Sequence, residues 1–231
     1  MLLGQQIAQV RHNMDAALAR RAARGLPVSP VKLVAVTKNH GVDLMQEAVD
    51  QGITDVGENR VQEAIGKQQQ LGRPVTWHLI GHLQTNKVRQ AVPAFNLIHS
   101  VDSERLAVEI STVAGRCGKV QDVLLQVNIG AEESKFGIEP AACSSFARFL
   151  SNLEHIRLCG IMAIAPFFSD AEQARPLFHE LYQMYTELKE CRLPHTDIMW
   201  LSMGMTNDYI VAIEEGSNLV RIGTAIFGSR Q

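Results

Sequence analysis

The chain has 231 residues and a net charge of −2, with acidic and basic side chains interspersed along it. It carries no basic stripe or polybasic run, so the composition excludes binding to nucleic acid or to a membrane surface. Hydrophobic residues make up 46% of the chain, which excludes a largely disordered protein. The four cysteines are widely separated and indicate neither a zinc site nor a disulfide framework. Unpaired thiols are typical of a reducing compartment, so we expect a cytoplasmic protein.

The first predicted element is an amphipathic helix within residues 1–25. Its apolar residues Ile7, Val10 and Met14 recur at steps of three and four, and charged residues occupy the other faces. Gly25 and the proline that follows shortly after it end the helix. Because this helix precedes the first strand, the sequence predicts an extra layer that plugs or flanks the rest of the fold.

After this helix, short apolar runs alternate with helical patterns. Eight strands separated by helices and short loops predict parallel βαβ units. The count of eight favours a closed (β/α)8 TIM barrel over a doubly wound open sheet, and residues 1–231 are predicted to form one α/β domain. The predicted strands are 32–37, 53–57, 75–80, 96–101, 121–128, 156–164, 197–202 and 218–222. The predicted helices are about 42–51, 59–70, 84–92, 103–116, 139–152, 170–191 and 206–215, with a short final turn near Thr224.

One lysine, Lys38, follows the first of these strands. Residues 33–36 form an apolar run typical of a strand buried on both faces, and a turn signal follows at Asn39. Folds of this class place their ligand chemistry at the carboxyl ends of the strands. A partly desolvated lysine there has a lowered pKa, and its amine becomes a nucleophile toward carbonyl groups. On this stretch alone, a side chain that extends into solvent is the simpler interpretation.

The end of the chain favours the chemical interpretation. Gly223 lets the backbone approach a ligand, and Thr224 begins a helix whose first N–H groups attract phosphate. Ser202, after the seventh strand, belongs to the other loop that completes the phosphate site of many barrels. Arg221 interrupts an apolar strand, so its charge faces either an acid at the rim or a ligand's ring nitrogen. Lysine, phosphate cradle and arginine together describe a site for pyridoxal 5′-phosphate (PLP).

Other positions carry weaker signals. Asn59, after the second strand, is a candidate contact for the ring hydroxyl or the imine region of PLP, against a plain turn asparagine. His78 and His82 are close in sequence but lack a third ligand, so no metal site is predicted. Lys135 lies at the same face of the barrel and is either a second acceptor of the aldehyde or an ordinary surface lysine.

Six motifs in consistent order resemble the YggS/PROSC family of pyridoxal phosphate homeostasis proteins. The resemblance runs from near the first helix to the last residues, and it implies a barrel similar to the N-terminal domain of alanine racemase. It also implies that Lys38 holds PLP as a Schiff base, that Ser202, Gly223 and Thr224 bind its phosphate, and that Arg221 faces the pyridine nitrogen. The motifs occupy residues 35–38 (AVTK), 57–63 (GENRVQE), 77–87 (WHLIGHLQTNK), 134–137 (SKFG), 201–205 (LSMGM) and 220–228 (VRIGTAIFG).

The resemblance implies intracellular PLP homeostasis, in which the protein carries or buffers the cofactor for PLP-dependent apo-enzymes without established catalysis. An arginine at the pyridine nitrogen disfavours ring protonation and weakens the electron sink, which suits a carrier. The alternative is a small PLP-dependent racemase or decarboxylase with Lys38 as base, for which Tyr209 is the tyrosine nearest the site. A third hypothesis is a phosphosugar-processing barrel in which Lys38 forms an aldolase-like imine. A barrel that needs no tyrosine from a partner subunit is predicted to be a monomer.

Overall fold

Eight parallel strands, β1 to β8, close into a barrel in chain order. The computed structural model describes residues 2–132 and 135–228; Ser134, in the predicted SKFG motif, lies outside them. Each strand pairs with the next, and β8 pairs with β1, which confirms the (β/α)8 barrel and excludes the open sheet. The strands are β1 (Lys32–Val36), β2 (Asp55–Glu58), β3 (Thr76–Leu79), β4 (Leu97–Val101), β5 (Gln121–Val127), β6 (Ile156–Ala163), β7 (Thr196–Ser202) and β8 (Leu219–Ile222).

Helices surround the barrel as predicted, with shifted ends. They are α1 (Leu3–Ala23), α2 (Val42–Asp50), α3 (Val61–Gln68), α4 (Val88–Ala94), α5 (Glu104–Arg116), α6 (Cys143–Leu150), α7 (Arg175–Glu190), α8 (Tyr209–Glu214) and α9 (Thr224–Phe227). Short 3-10 turns at 85–87, 140–142 and 171–174 replace the predicted first turns of α4, α6 and α7. No helix within the described ranges is both long and apolar enough to cross a membrane.

Side chains of the strands alternate between two apolar layers, as the pleat of a strand requires. Ala35, Val56 and Leu79 are buried in the large outer layer beneath the helices. A smaller cluster comprises Val34, Leu97, Leu124, Cys159, Met162 and Leu219. We assign this smaller cluster to the barrel interior, because Val34 and Ala35 are neighbours in β1 and point to opposite faces of the sheet.

Helix α1 flanks the barrel, which decides between the two predicted placements. It packs against α8 and α9, and Ile7 and Val10 on its inner face are buried. Arg20 Nε lies 2.5 Å from a carboxylate oxygen of Glu214, and Arg21 Nη1 donates to the Glu214 carbonyl at 2.8 Å. Arg175 of α7 also pairs with Glu214 at 2.6 Å. One acidic residue at the end of α8 therefore links three helices.

Candidate functional site

A pocket of about 240 Å³ opens beyond the carboxyl ends of β1 and β8, which are neighbours in the barrel. It brings together four of the six predicted site residues: Lys38, Arg221, Gly223 and Thr224. These four residues come from the two ends of the chain, and only the closure of the barrel places them side by side. The other lining residues are Val36, His40, Met205, Thr206, Asn207 and Gly228.

The backbone that carries Lys38 is held on its amino side. Thr37 N donates to the Gly57 carbonyl at 3.1 Å, which continues the β1–β2 ladder. The Thr37 hydroxyl donates to Glu58 Oε1 at 2.6 Å, and the ammonium of Lys67 donates to the Thr37 carbonyl at 2.7 Å. Thr37 is fully buried, so these hydrogen bonds form away from water. Lys38 therefore follows a strand end whose backbone is fixed by hydrogen bonds.

The residue after Lys38 is fixed as well. Asn39 has φ 64°, a left-handed conformation that asparagine tolerates better than most residues. Its N–H donates to Glu63 Oε1 at 2.6 Å, and Lys67 donates to the same oxygen at 2.7 Å. Lys67 thus contacts the segment before Lys38 directly and the segment after it through Glu63.

Lys67 also compensates a buried carboxylate. Glu58 is fully buried, and Lys67 donates to its Oε1 at 2.7 Å. Its other oxygen, Oε2, has no hydrogen-bond partner within the described ranges. Burial raises the pKa of Glu58 even though Lys67 and Thr37 favour its ionised form. The ion pair holds the Lys38 strand end at the cost of one unsatisfied acceptor.

The opposite wall of the pocket is suited to a phosphate group. A Cβ atom added to Gly223 would lie 3.3 Å from Val36 Cβ, so the absent side chain leaves this wall open. Thr224 is exposed at the start of α9. Thr206 accepts a hydrogen bond from Ala225 N at 3.3 Å and lines the same pocket. The hydroxyl-bearing residues Thr206 and Thr224 therefore line the same wall of the pocket.

Thr206 was not predicted, and Ser202 does not line the pocket. Ser202 is the last residue of β7 and is fully buried. Its Oγ accepts from Arg221 Nη1 at 2.5 Å and lies 3.1 Å from His99 Nδ1. Asn59, after β2, is half-buried at the same end of the barrel and also lies outside the pocket lining. The available signal for Thr206 was a second hydroxyl in the loop that follows Ser202.

Arg221 is nearly fully buried beneath the pocket. Its Nη2 donates to the Ala163 carbonyl at 2.9 Å, and its Nη1 donates to Ser202. Burial lowers the pKa of Arg221 to about 10, against the opposing field of Asp208. The guanidinium remains charged at neutral pH. It is held by neutral oxygens of β6 and β7, and across residues 2–132 and 135–228 it forms no ion pair of the kind that the sequence left open.

Buried polar residues continue from Ser202 across the barrel. His99 Nε2 lies 2.9 Å from His78 Nδ1, and His78 Nε2 lies 2.9 Å from Asp55 Oδ1. Burial lowers the pKa of both imidazoles. Burial alone would raise the pKa of Asp55, but hydrogen bonds from His78, Lys32 and others hold it at about 2. Sequence reasoning missed His99, which stands inside the apolar strand β4.

The remaining candidate residues lie outside the pocket lining. The Tyr209 hydroxyl accepts from Asn13 of α1 at 3.0 Å, which turns it toward the outer helix. His82 stacks on Phe136 with ring centroids 3.6 Å apart, and Lys135 pairs with Glu132 at 2.8 Å. Across residues 2–132 and 135–228, no group of three His, Cys, Asp or Glu side chains is placed to hold a metal ion.

Residues 6–231 match the alanine racemase N-terminal domain, which defines the class of barrel. A pyridoxal phosphate homeostasis protein from Aquifex aeolicus is 40% identical over 215 residues, which cover 91% of each chain. Another from Pasteurella multocida is 38% identical and covers 100% of this chain and 98% of its own. The chain belongs to the pyridoxal phosphate homeostasis protein family.

A solved structure agrees with this assignment. PipY of Synechococcus elongatus, solved with PLP bound, is 36% identical to this chain and superposes with a TM-score of 0.82. The match covers 98% of this chain and all of PipY.

The ion pair at the Lys38 strand end gives a first prediction. Lys67→Met removes the cation and leaves Glu58 buried without compensation, so we expect the free energy of unfolding to fall by about 3 kcal/mol. Urea unfolding measures this change. The double variant Glu58→Gln/Lys67→Met removes both charges and should recover part of the loss. A single variant as stable as the wild type would show that Lys67 does not compensate Glu58.

The buried histidines give a second prediction. His78 and His99 have lowered pKa values in the folded protein, so the unfolded chain binds more protons than the folded one below pH 6.5. Each imidazole should reduce stability by up to about 1.4 kcal/mol per pH unit as pH falls below that value. Urea unfolding from pH 8 to 5.5 measures the decline.

Carboxyl groups also titrate in this range, so a variant isolates the imidazole contribution. His99→Gln should be less stable than the wild type at pH 8, and this difference should shrink toward pH 5.5. The control His155→Gln, at a partly exposed turn, should parallel the wild type. A constant difference between wild type and His99→Gln would contradict the prediction.

Proposed function

We propose that this protein binds PLP in the pocket beyond β1 and β8 and serves intracellular PLP homeostasis as a carrier or buffer. The observation that carries the proposal is the convergence of Lys38, Arg221, Gly223 and Thr224 in one pocket of about 240 Å³. The names of the related homeostasis proteins and the PLP-bound structure of PipY support it.

The residues of the pocket suit the separate parts of PLP. Lys38 Nζ adds to the aldehyde carbon, and loss of water leaves a C=N bond, the Schiff base. Gly223, Thr224 and Thr206 hold the phosphate through amides and hydroxyls. Arg221 faces the pyridine nitrogen, where its charge disfavours ring protonation.

The two predicted residues outside the pocket lining take supporting roles in this proposal. Asn59 follows β2, the neighbour of the strand that carries Lys38, and reaches the ring hydroxyl or the imine side of PLP. Ser202 acts on the cofactor through Arg221, to which it is hydrogen-bonded, and Thr206 takes the phosphate contact that the sequence assigned to Ser202.

A carrier fits this pocket better than an enzyme. A racemase needs a second acid–base group opposite the lysine, and each of the three tyrosines is engaged elsewhere. Tyr209 contacts Asn13, Tyr185 donates to the Met199 carbonyl, and Tyr182 packs beneath Arg21. The alternative function, a small racemase or decarboxylase with Lys38 as base, would have to take its second acid–base group from His40, which lines the same pocket.

We further propose a cytoplasmic monomer that passes PLP to apo-enzymes. Lys38, Arg221, Gly223 and Thr224 meet within one copy of the chain, so the proposed site does not depend on a residue from a partner subunit. Release requires only that water reverse the Schiff base and that the phosphate leave its hydroxyl and amide contacts.

The lysine assignment gives a third prediction. Incubation with PLP should produce a visible absorption band that borohydride bleaches, and peptide mass mapping should place the added mass on Lys38. Lys38→Ala should lose the band, whereas the exposed control Lys189→Ala should keep it. Label on Lys135 alone would move the Schiff base to the other candidate, and a colourless, unlabelled protein would refute PLP binding and favour the phosphosugar hypothesis.

An experiment on the same PLP-loaded protein distinguishes a carrier from an enzyme. In D2O with L- or D-amino acids, a carrier leaves the α-proton in place and forms no amine by decarboxylation, as followed by proton NMR. Exchange or decarboxylation that disappears in Lys38→Ala would establish the enzyme instead.

The phosphate assignment gives a fourth prediction. Thr206→Val keeps the shape of the side chain but removes one hydrogen bond to a charged group, so PLP affinity should fall roughly tenfold. Affinity for pyridoxal, which lacks the phosphate, should not change. Ser202→Ala should preserve the preference for PLP over pyridoxal. A preference lost in Ser202→Ala and kept in Thr206→Val would restore the original assignment.

A further inference from the structure

Four hydrogen bonds in series connect the pocket floor to the opposite end of the barrel. Arg221 contacts Ser202 at 2.5 Å, Ser202 contacts His99 at 3.1 Å, His99 contacts His78 at 2.9 Å, and His78 contacts Asp55 at 2.9 Å. The series runs through strands β8, β7, β4, β3 and β2. Because β4 and β7 are not neighbours in the sheet, their contact crosses the barrel interior.

The chemistry of the two ends fixes the direction of every bond. A guanidinium only donates and a carboxylate only accepts, so Arg221 donates to Ser202 and His78 donates to Asp55. The Ser202 hydroxyl then has its proton available for His99 Nδ1. His99 in turn donates from Nε2 to His78 Nδ1. The assignment requires both imidazoles to be neutral, with the proton on Nε2.

Burial and anchoring make this series a rigid unit. All five residues are 3% exposed or less, so bulk water does not compete for their hydrogen bonds. Asp55 is fixed at the amino end of the barrel by Lys32 Nζ at 2.9 Å and by the Thr54 hydroxyl at 2.7 Å. Lys32 is 30% exposed and lines a hollow of about 490 Å³ there. The series therefore runs from the cofactor pocket to a solvent-accessible lysine.

We infer that His99 and His78 are positioning residues for the PLP site, which orient the Arg221 guanidinium through Ser202 from the fixed carboxylate of Asp55. This inference rests on the proposed function, which places Arg221 at the pyridine nitrogen. Successive bonds of one direction polarise each other and stabilise the cation without a carboxylate beside it. Arg221 then offers one defined donor to the ring.

Removal of His99 should leave the Ser202 hydroxyl without its acceptor and free the guanidinium to reorient. In His99→Phe loaded with PLP, the absorption maximum should shift and dissociation should be roughly tenfold faster, the effect of losing the hydrogen bond that the Arg221 guanidinium donates to the ring nitrogen. His99→Gln, which keeps one donor and one acceptor, should recover part of both properties. The control His155→Phe, at a partly exposed turn, should match the wild type.

A measurement on the ligand-free wild type tests the bond directions independently of cofactor and folding. Long-range nitrogen–proton NMR of 15N-histidine-labelled protein should show His78 and His99 as neutral tautomers protonated on Nε2. Ser202→Ala should shift the Nδ1 resonance of His99 more than any nitrogen of His155. A protonated His99, or one carrying its proton on Nδ1, would overturn the inference.

Borohydride labelling separates this inference from the proposed function. If the wild type and His99→Phe are both labelled on Lys38 but share one spectrum and one dissociation rate, the positioning role is refuted and PLP binding stands. If the wild type is not labelled at all, the proposed function is refuted.

Discussion

The guanidinium of Arg221 lies inside the barrel, where it is cut off from water, and much of the interior is arranged around it. A buried charge is costly unless hydrogen bonds replace its hydration. Barrel interiors are usually filled by branched apolar side chains. Here the interior also contains polar residues beside the apolar cluster. A hydrogen-bonded series extends from the pocket toward the other end of the barrel through Ser202, His99, His78 and Asp55. The position of one cation thus dictates inward-facing residues on four other strands.

A second buried charge fixes the other half of the site. Lys67 reaches from α3 to the end of β1 and joins Glu58, Glu63 and the Thr37 carbonyl. It therefore orders the backbone on both sides of Lys38 without occupying the pocket. Lys38, after β1, and Arg221, in β8, are consequently supported by strands of the packed barrel. The wall proposed for the phosphate is formed by loop residues. In the proposed site, the backbone that carries Lys38 is therefore fixed by buried hydrogen bonds, and the phosphate is held by loop residues.

The sequence predicted the barrel and the four pocket residues because these depend on local rules. A buried strand followed by a lysine, or by glycine and a helix start, marks the carboxyl rim wherever the strand lies in the sheet. The sequence could not decide whether Ser202 or Thr206 lines the pocket, because the side of the sheet to which a hydroxyl points depends on the register of β7 in the closed barrel. His99 was missed because its partner Ser202 is 103 residues away in the chain. Only three-dimensional closure makes that pair.

The same arrangement suits the proposed carrier function on a barrel of the alanine racemase N-terminal class. Catalysis on PLP needs an electron-poor ring and acid–base groups on both faces of the bound substrate. In the proposed complex, a permanently charged arginine at the ring nitrogen keeps the ring a weak electron sink, and the series anchored at Asp55 strengthens that cation. Tyr209, the remaining second base to consider, is held by Asn13 of α1. The extra N-terminal helix therefore does more than cover the barrel, because it also holds the hydroxyl of the tyrosine considered for the racemase alternative.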